Sequence, residues 1–287
     1  MSATPAPQLR EVRGPSSLGG GRRRFLDLLW LMAVTEFKRV YFGTVLGYLW
    51  SLLRPLMYFG VLLFVFTKVF HVGGEQVEHY PVFLLMGIVL FTFFQEASSN
   101  SVTSVVAQEG VVRKTQFPRL VIPISTVLTA AFNLGLNLII VLVFLLAFGV
   151  DPAWTWLLFP VVLAGLFVFT VAVSMALAML YVRFRDVAII WVVATQMLMY
   201  ATPILYPVNF KENPPDPTFE HLLVINPLAV VMVQARKWIL HEPKAPSAVD
   251  AAGGWTGLLP ALAILLAIVG FATWYFNREA PRVAEDL

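Results

Sequence analysis

The chain is predicted to fold as an all-α integral membrane protein. It has six transmembrane helices with both ends on the cytoplasmic side, an N-terminal amphipathic interface helix, and short re-entrant gate helices before the last span. Three observations predict this. First, 59% of the 287 residues are hydrophobic and only 13% are charged, against about 25% charge in a soluble domain. No fold surrounded by water could hide that much apolar surface. Second, the apolar residues fall in runs of about 20, the length that crosses roughly 30 Å of hydrocarbon as helix. Third, when six such runs are threaded with both ends inside, fifteen of the 20 Lys and Arg land on the inner side. Basic residues mark cytoplasmic loops. A seventh span over 222–240 would weaken the bias by moving Arg278 and Arg282 outward.

Residues 1–24 are polar, rich in Pro, Gly, Ser and Arg, and lack the apolar stretch of a signal peptide. They are expected to form a disordered cytoplasmic tail. In Arg22 to Phe42 the apolar run Leu28 to Val34 is too short to cross. Arg24, Asp27, Thr35 and Lys38 fall along one helical face, so this segment reads as a helix lying in the inner interface. The transmembrane domain, 25–278, holds spans at about 47–70, 81–104, 124–148, 156–181, 187–205 and 258–276, with a cytoplasmic tail at 279–287. The first span is interrupted by Arg54-Pro55, and the second runs into a polar stretch, Gln95 to Ser101. The last ends in Trp274 and Tyr275, an aromatic pair suited to a membrane–water boundary. Leu222 to Leu240 is long enough to span, but Asn226-Pro227 splits it and Gln234, Arg236 and Lys237 burden it. It reads as two short re-entrant or interfacial helices broken at Pro227. Such backbone is tolerated at depth only against protein or a wet cavity, which points to a gate-like element. No internal repeat supports an inverted-repeat secondary transporter.

Motifs for chemistry are mostly absent. The net charge of +3 reflects basic membrane flanks rather than a nucleic-acid surface. The lack of cysteine excludes disulfides and thiolate metal sites. There is no Gly-Lys dipeptide, hence no P-loop, and no HExxH or GxSxG motif. His71, His79, His221 and His241 map to outer loops, far apart, so no metal site is assigned. Energised work must draw on another chain. The stretch Val111 to Pro123, VVRKTQFPRLVIP, is the most informative, because Arg113, Lys114 and Arg119 flank Phe117-Pro118 between two long apolar runs. The proline ends one helix and forces a turn. A short basic helix at the inner surface results, where a cytoplasmic partner could push.

Five local patterns occur in order along this scaffold: TVLGYLWSLLRPL (Thr44 to Leu56), RKTQFPRLVIPIS (Arg113 to Ser125), YVRFRD (Tyr181 to Asp186), TPILYP (Thr202 to Pro207) and INPLAVVMVQAR (Ile225 to Arg236). With them the chain resembles the membrane subunit of ABC-2-type exporters. It looks most like the branch that exports polysaccharides (O-antigen, teichoic acid, capsule or galactan) linked to a lipid carrier. The resemblance covers roughly Phe25 to Arg278. It implies a non-catalytic permease in the bacterial cell membrane, moving a lipid-linked polysaccharide from the cytoplasmic to the outer side. Two copies would pair around a channel, each docked on a separate cytoplasmic P-loop ATPase that holds ATP and Mg. This chain would carry no cofactor and bind no nucleic acid. Arg113, Lys114, Phe117, Pro118 and Arg119 would form the coupling helix, and 22–42 the interface helix. The 206–240 region would form the extracellular gate, with breaks at Pro203, Pro207, Asn226 and Pro227. The Leu46-Gly47 turn would sit beside the lipid head group.

Individual residues carry competing readings. Arg113, Lys114 and Arg119 could be ordinary positive-inside anchors, but Phe117-Pro118 adds shape that anchoring does not need. Arg54 lies seven residues into the first span, roughly 10 Å at 1.5 Å per residue. It either snorkels to the interface or holds the pyrophosphate of the lipid carrier in a guanidinium fork. Gln95, Glu96, Ser99 and Asn100, with Ser98 and Ser101, either line a wet channel or pack between helices near the inner end. Asn133 and Asn137, four apart on one helical face, are expected to hydrogen-bond between helices. Arg183, Arg185 and Asp186 turn the chain at the cytoplasmic face, where an Arg–Asp pair is expected. Tyr58 and Tyr200 either stack on sugar faces as channel lining or meet lipid, and Phe91, Phe93 and Phe94 are expected to face lipid. Two rival functions remain. One is an exporter of the same fold for a small hydrophobic molecule or drug. The other is a membrane enzyme acting on isoprenoid lipids, which would need carboxylate clusters that the scattered acidic residues do not supply.

Overall fold

A computed structural model of the protein describes residues 22–41, 47–70, 78–110, 118–208, 217–241 and 245–280. Among the described residues every regular element is helical. In chain order these are α1 (Arg22–Tyr41), α2 (Leu49–Phe64, continued by a π-helical turn at Val65–Val69), α3 (Tyr80–Ala107) and α4 (Val121–Ala147). Next come α5 (Phe159–Arg183, led in by a 3-10 turn at Trp154–Leu158), α6 (Val187–Ala201), α7 (Pro217–Val224) and α8 (Pro227–Leu240). Last are α9 (Ala248–Ala251) and α10 (Leu259–Glu279, led in by a 3-10 turn at Trp255–Leu258).

Proline sets several helix starts. α3, α5, α8 and α10 each carry a proline at the first or second helical position, where its missing N–H costs nothing and its fixed φ suits the helix. Among the described residues five stretches are long and apolar enough to cross a membrane: Leu49–Val69, Tyr80–Ala107, Val121–Ala147, Trp154–Arg183 and Trp255–Glu279. The expected fifth span, 187–205, is instead the 15-residue helix α6, about 22 Å long at 1.5 Å per residue. The chain turns at 202–206 rather than continuing.

α3 is the hub. In its most apolar window 78% of the residues are buried, against 11% for α2 and for α10. Phe91, Phe93 and Phe94, expected to face lipid, lie inside the protein with at most 3% of their surface exposed. Phe93 stacks on Phe167 at 6.4 Å and Phe94 on Phe169 at 5.6 Å, so these rings form the α3–α5 contact. α10 packs through Ala272 and Phe276 against Ala176 and Met179 of α5. α1 lies along α4, with Trp30 edge-on to Phe132 at 5.5 Å and the buried Ala33 carbonyl accepting from Thr129.

At one end of the bundle lie the start of α3, the end of α6, the lead-in to α5, and the α7–α9 group. Trp156 Nε1 donates to the Ile239 carbonyl at 2.9 Å, tying that lead-in to the end of α8. The polar stretch of α3 does not end the helix. Ser98 and Ser104 turn their hydroxyls back onto the carbonyls of Phe94 and Ser101, which satisfies them inside the bundle and lets α3 run on to Ala107.

Candidate functional site

Three helices share a polar seam inside the membrane-spanning bundle. Pro55 sits within α2 and has no N–H, so the Ser51 carbonyl four residues back loses its helical donor. Asn137 of α4 supplies the replacement, its Nδ2 reaching Ser51 O at 3.2 Å while also bonding the Asn133 carbonyl at 2.8 Å. One turn away, Asn133 donates to Glu96 Oε1 of α3 at 2.6 Å. The expected inter-helix role of both asparagines is met. Glu96 stands in the interior of α3, half-buried. Arg54 is exposed on the outward face of α2, next to exposed Leu53, Met57 and Tyr58.

That face continues onto α6. Tyr58 donates its hydroxyl to Met199 Sδ at 3.3 Å, and Tyr200 is 67% exposed beside it. The two tyrosines singled out from sequence therefore meet at the α2–α6 edge. Gln95 and Ser99 are half-buried and Asn100 is exposed, all on α3. Ser98, fully buried, accepts from Trp191 Nε1 of α6 at 3.1 Å. At the head of α2, Gly47 has φ +50° and its carbonyl accepts from Trp50. The left-handed conformation makes glycine the natural residue for this turn. Leu46 lies outside the described residues.

Arg113, Lys114 and Phe117 also lie outside the described residues. Pro118 is buried, and its carbonyl accepts from Val121 as α4 begins. Arg119 follows with Nη1 buried and, among the described residues, without a hydrogen-bond partner, and burial pushes its guanidinium below the usual arginine range. The expected Arg–Asp pair between α5 and α6 is not formed. Arg183 lies over the Phe184 ring at 5.8 Å and Arg185 over the Tyr181 ring at 5.0 Å. Among the described residues neither guanidinium reaches Asp186. All three charges are exposed, where an ion pair gains little over water and a ring face competes well.

The α8 end holds the feature that sequence reasoning missed. Arg236, named from sequence only as one of the polar residues that burden 222–240, is 4% exposed. Its Nη2 donates to the carbonyls of Phe83 at 3.1 Å and Ile204 at 2.8 Å, and its Nη1 to that of Pro203. The guanidinium also lies over the Phe83 ring, 3.4 Å from the centroid. An Arg in the apolar run Leu228 to Leu240 was the available signal, but carbonyl acceptors from two other segments leave no mark in sequence. Around it, Tyr80 donates to the Leu205 carbonyl at 2.8 Å. Asn226 caps α8 by accepting from Leu228 N and donates to Thr202 Oγ1 at 2.9 Å. Pro203 and Asn226, two of the expected gate residues, thus both belong to this junction. Pro227 opens α8 beside them, and Pro207 is half-buried.

A family model described as ABC-2 type transporter matches residues 27–240. All five stretches that carry the resemblance fall inside it. An O-antigen export system permease protein RfbA of Klebsiella pneumoniae is 30% identical over 262 residues, covering 91% of this chain and 95% of the relative. One of Myxococcus xanthus is 27% identical over 264 residues, covering 92% and 96%. A polysialic acid transport protein KpsM of Escherichia coli is 35% identical over 86 residues, 30% of this chain and 31% of the relative.

Proposed function

The chain belongs to the ABC-2 type transporter family, and from that premise we propose that it is the membrane permease of an ATP-driven exporter for a lipid-linked polysaccharide. The observation that carries this reading is similarity to O-antigen export permeases over nine-tenths of both chains. With its five membrane-length apolar helices, the chain is a multi-pass protein of the bacterial cell membrane. In this reading it works as a homodimer. Two copies of a cytoplasmic P-loop ATPase bind ATP and Mg, and no catalytic step falls on this chain. α6 serves as the sixth crossing, completed by the turn at 202–206, so both ends face the cytoplasm as the basic residues suggest.

The steps assigned to this chain are to admit, orient and release. The basic segment at 113–119 receives movement from the ATPase. The head group enters beside the Leu46-Gly47 turn, where Arg54 offers a fork of donors to phosphate oxygens. The exposed face of α2 and α6, with Tyr58 and Tyr200, borders the glycan path, and the polar groups at Gln95, Glu96, Ser99 and Asn100 extend it. The 206–240 region closes the outer side. The shorter similarity to a polysialic acid transport protein supports a second reading of the cargo, an acidic capsule-type polysaccharide. Its coverage of less than a third of either chain ranks it below the first.

The test is to purify the tagged subunit in mild detergent from its native membrane and identify what accompanies it. A P-loop ATPase in one-to-one ratio, together with lipid-linked glycan accumulating inside cells that lack this chain, is the expected result. A subunit that emerges alone even with an ATP analogue, from cells whose surface glycan survives its deletion, overturns the reading.

A further inference from the structure

We propose that Arg236 is a latch that fastens the end of α6 to α3 and α8, so that α6 tilts about this point while α8 stays fixed. The inference deepens the exporter reading and rests on it for the meaning of the motion. Its starting point is a contrast in burial. α8 buries Leu228, Ala229, Met232, Val233, Ala235, Arg236, Ile239 and Leu240, whereas α6 buries Thr195 alone. The segment expected to act as a moving gate is therefore the better anchored of the two, and the slender α6 is the loosely held one. Along its length the described side-chain hydrogen bonds between α6 and other helices are Trp191 donating to Ser98 and Met199 accepting from Tyr58.

At its far end α6 is held differently. The helix stops at Ala201, and Thr202 is extended, with φ −103° and ψ 136°. The carbonyls of Pro203 and Ile204, just past a helix C-terminus, suit a cation, and Arg236 supplies it. The same guanidinium bonds the Phe83 carbonyl of α3, so one planar group joins three segments. A buried charge is costly unless it is hydrogen-bonded, and here the two terminal nitrogens bond three carbonyls. Gly87 completes it, since a Cβ there would overlap the guanidinium. Thr202 is itself buried and accepts from Asn226 at the cap of α8, so it belongs to the fastened side of the junction.

The test uses the full complex of permease and ATPase with two variants, R236K and G87A. Lysine keeps the charge but cannot fork across three carbonyls. Alanine is the better helix former, so G87A dislodges the guanidinium without weakening α3. Amide hydrogen exchange over 202–206 is expected to rise at least tenfold in both, with 93–101 and 166–176 unchanged. Cell-surface polysaccharide, measured by sugar analysis, is expected to fall while ATP hydrolysis continues. Unchanged protection at 202–206 overturns the latch. So does an equal rise throughout the bundle, which would make Arg236 a general core residue. Full surface polysaccharide in a variant whose turn has loosened overturns the pivot. A wild-type complex that exports no glycan sinks the exporter reading and the pivot with it, while the exchange result still decides the latch.

Discussion

Asn137 donates its side-chain amide to the Ser51 carbonyl at 3.2 Å, the carbonyl that Pro55 strands by lacking an N–H. A break in one span is thereby repaired by a neighbouring span, and the repair fixes α2 against α4 next to Arg54. Removing Asn137 leaves a buried carbonyl without a donor, a loss of about 1–3 kcal/mol. N137L is therefore expected to lower the unfolding temperature of the purified subunit. P55A restores a backbone N–H, so N137L/P55A should recover part of the loss. Additive effects in the double-mutant cycle would mean that the two residues do not share this carbonyl.

The neighbouring contact, Asn133 to Glu96 at 2.6 Å, predicts a ranking. E96Q keeps an acceptor oxygen for Asn133 and should cost little. N133L leaves the Glu96 oxygen unpartnered in the seam and should cost more, again about 1–3 kcal/mol. Thermal melts of both variants in one detergent check this, and a larger loss in E96Q contradicts the contact as described.

Gly47 allows a test of conformation apart from contact. Its φ is +50°, and among the described residues nothing beyond its chain neighbours lies within 4 Å of where a Cβ would stand. Only backbone strain should then separate substitutions: about 1–2 kcal/mol for alanine on the left-handed penalty, less for asparagine, more for valine. If head-group access at this turn matters as proposed, G47N folds well and exports poorly only where its side chain intrudes. Stability and surface polysaccharide measured together separate the two effects.

Most of the helices could be read from the sequence because lipid imposes a length and a composition on anything that crosses it. The apolar runs at 47–70, 124–148 and 258–276 fall within three residues of the helical stretches Leu49–Val69, Val121–Ala147 and Trp255–Glu279, and the break at Pro227 is where α8 begins. What failed depended on neighbours. Phe91, Phe93 and Phe94 look like lipid-facing residues until α5 is packed on them. Arg236 looks like a surface charge until three carbonyls from two distant segments converge on it. The turn at 183–186 looks like an ion pair because sequence shows charges and not the rings of Phe184 and Tyr181 beneath them. The asparagines were legible because a carboxamide inside a span has few alternatives to bonding another helix.

The coupling segment predicts a dissociation of two activities. R113E/K114E reverses two charges outside the spans, where surface charges contribute at most about 1 kcal/mol to stability, so folding should survive. Binding to the ATPase, or stimulation of its hydrolysis by the permease, is expected to fall by tenfold or more. Normal stimulation in the folded double variant refutes the assignment of this segment to the partner.

Arg54 offers the sharpest choice, because its two readings predict opposite balances of stability and function. A charged residue at mid-span costs about 2.5–3.5 kcal/mol on insertion scales, so R54Q should insert at least as well as the wild type under either reading. If Arg54 only snorkels, export persists or improves. If its fork holds the carrier's pyrophosphate, R54Q loses export by tenfold or more, and R54K recovers little, because an ammonium cannot reproduce a bidentate grip. Membrane level of the subunit and surface polysaccharide are measured in the same cells. Good insertion with lost export assigns Arg54 to the head group, and good insertion with full export returns it to the role of an anchor.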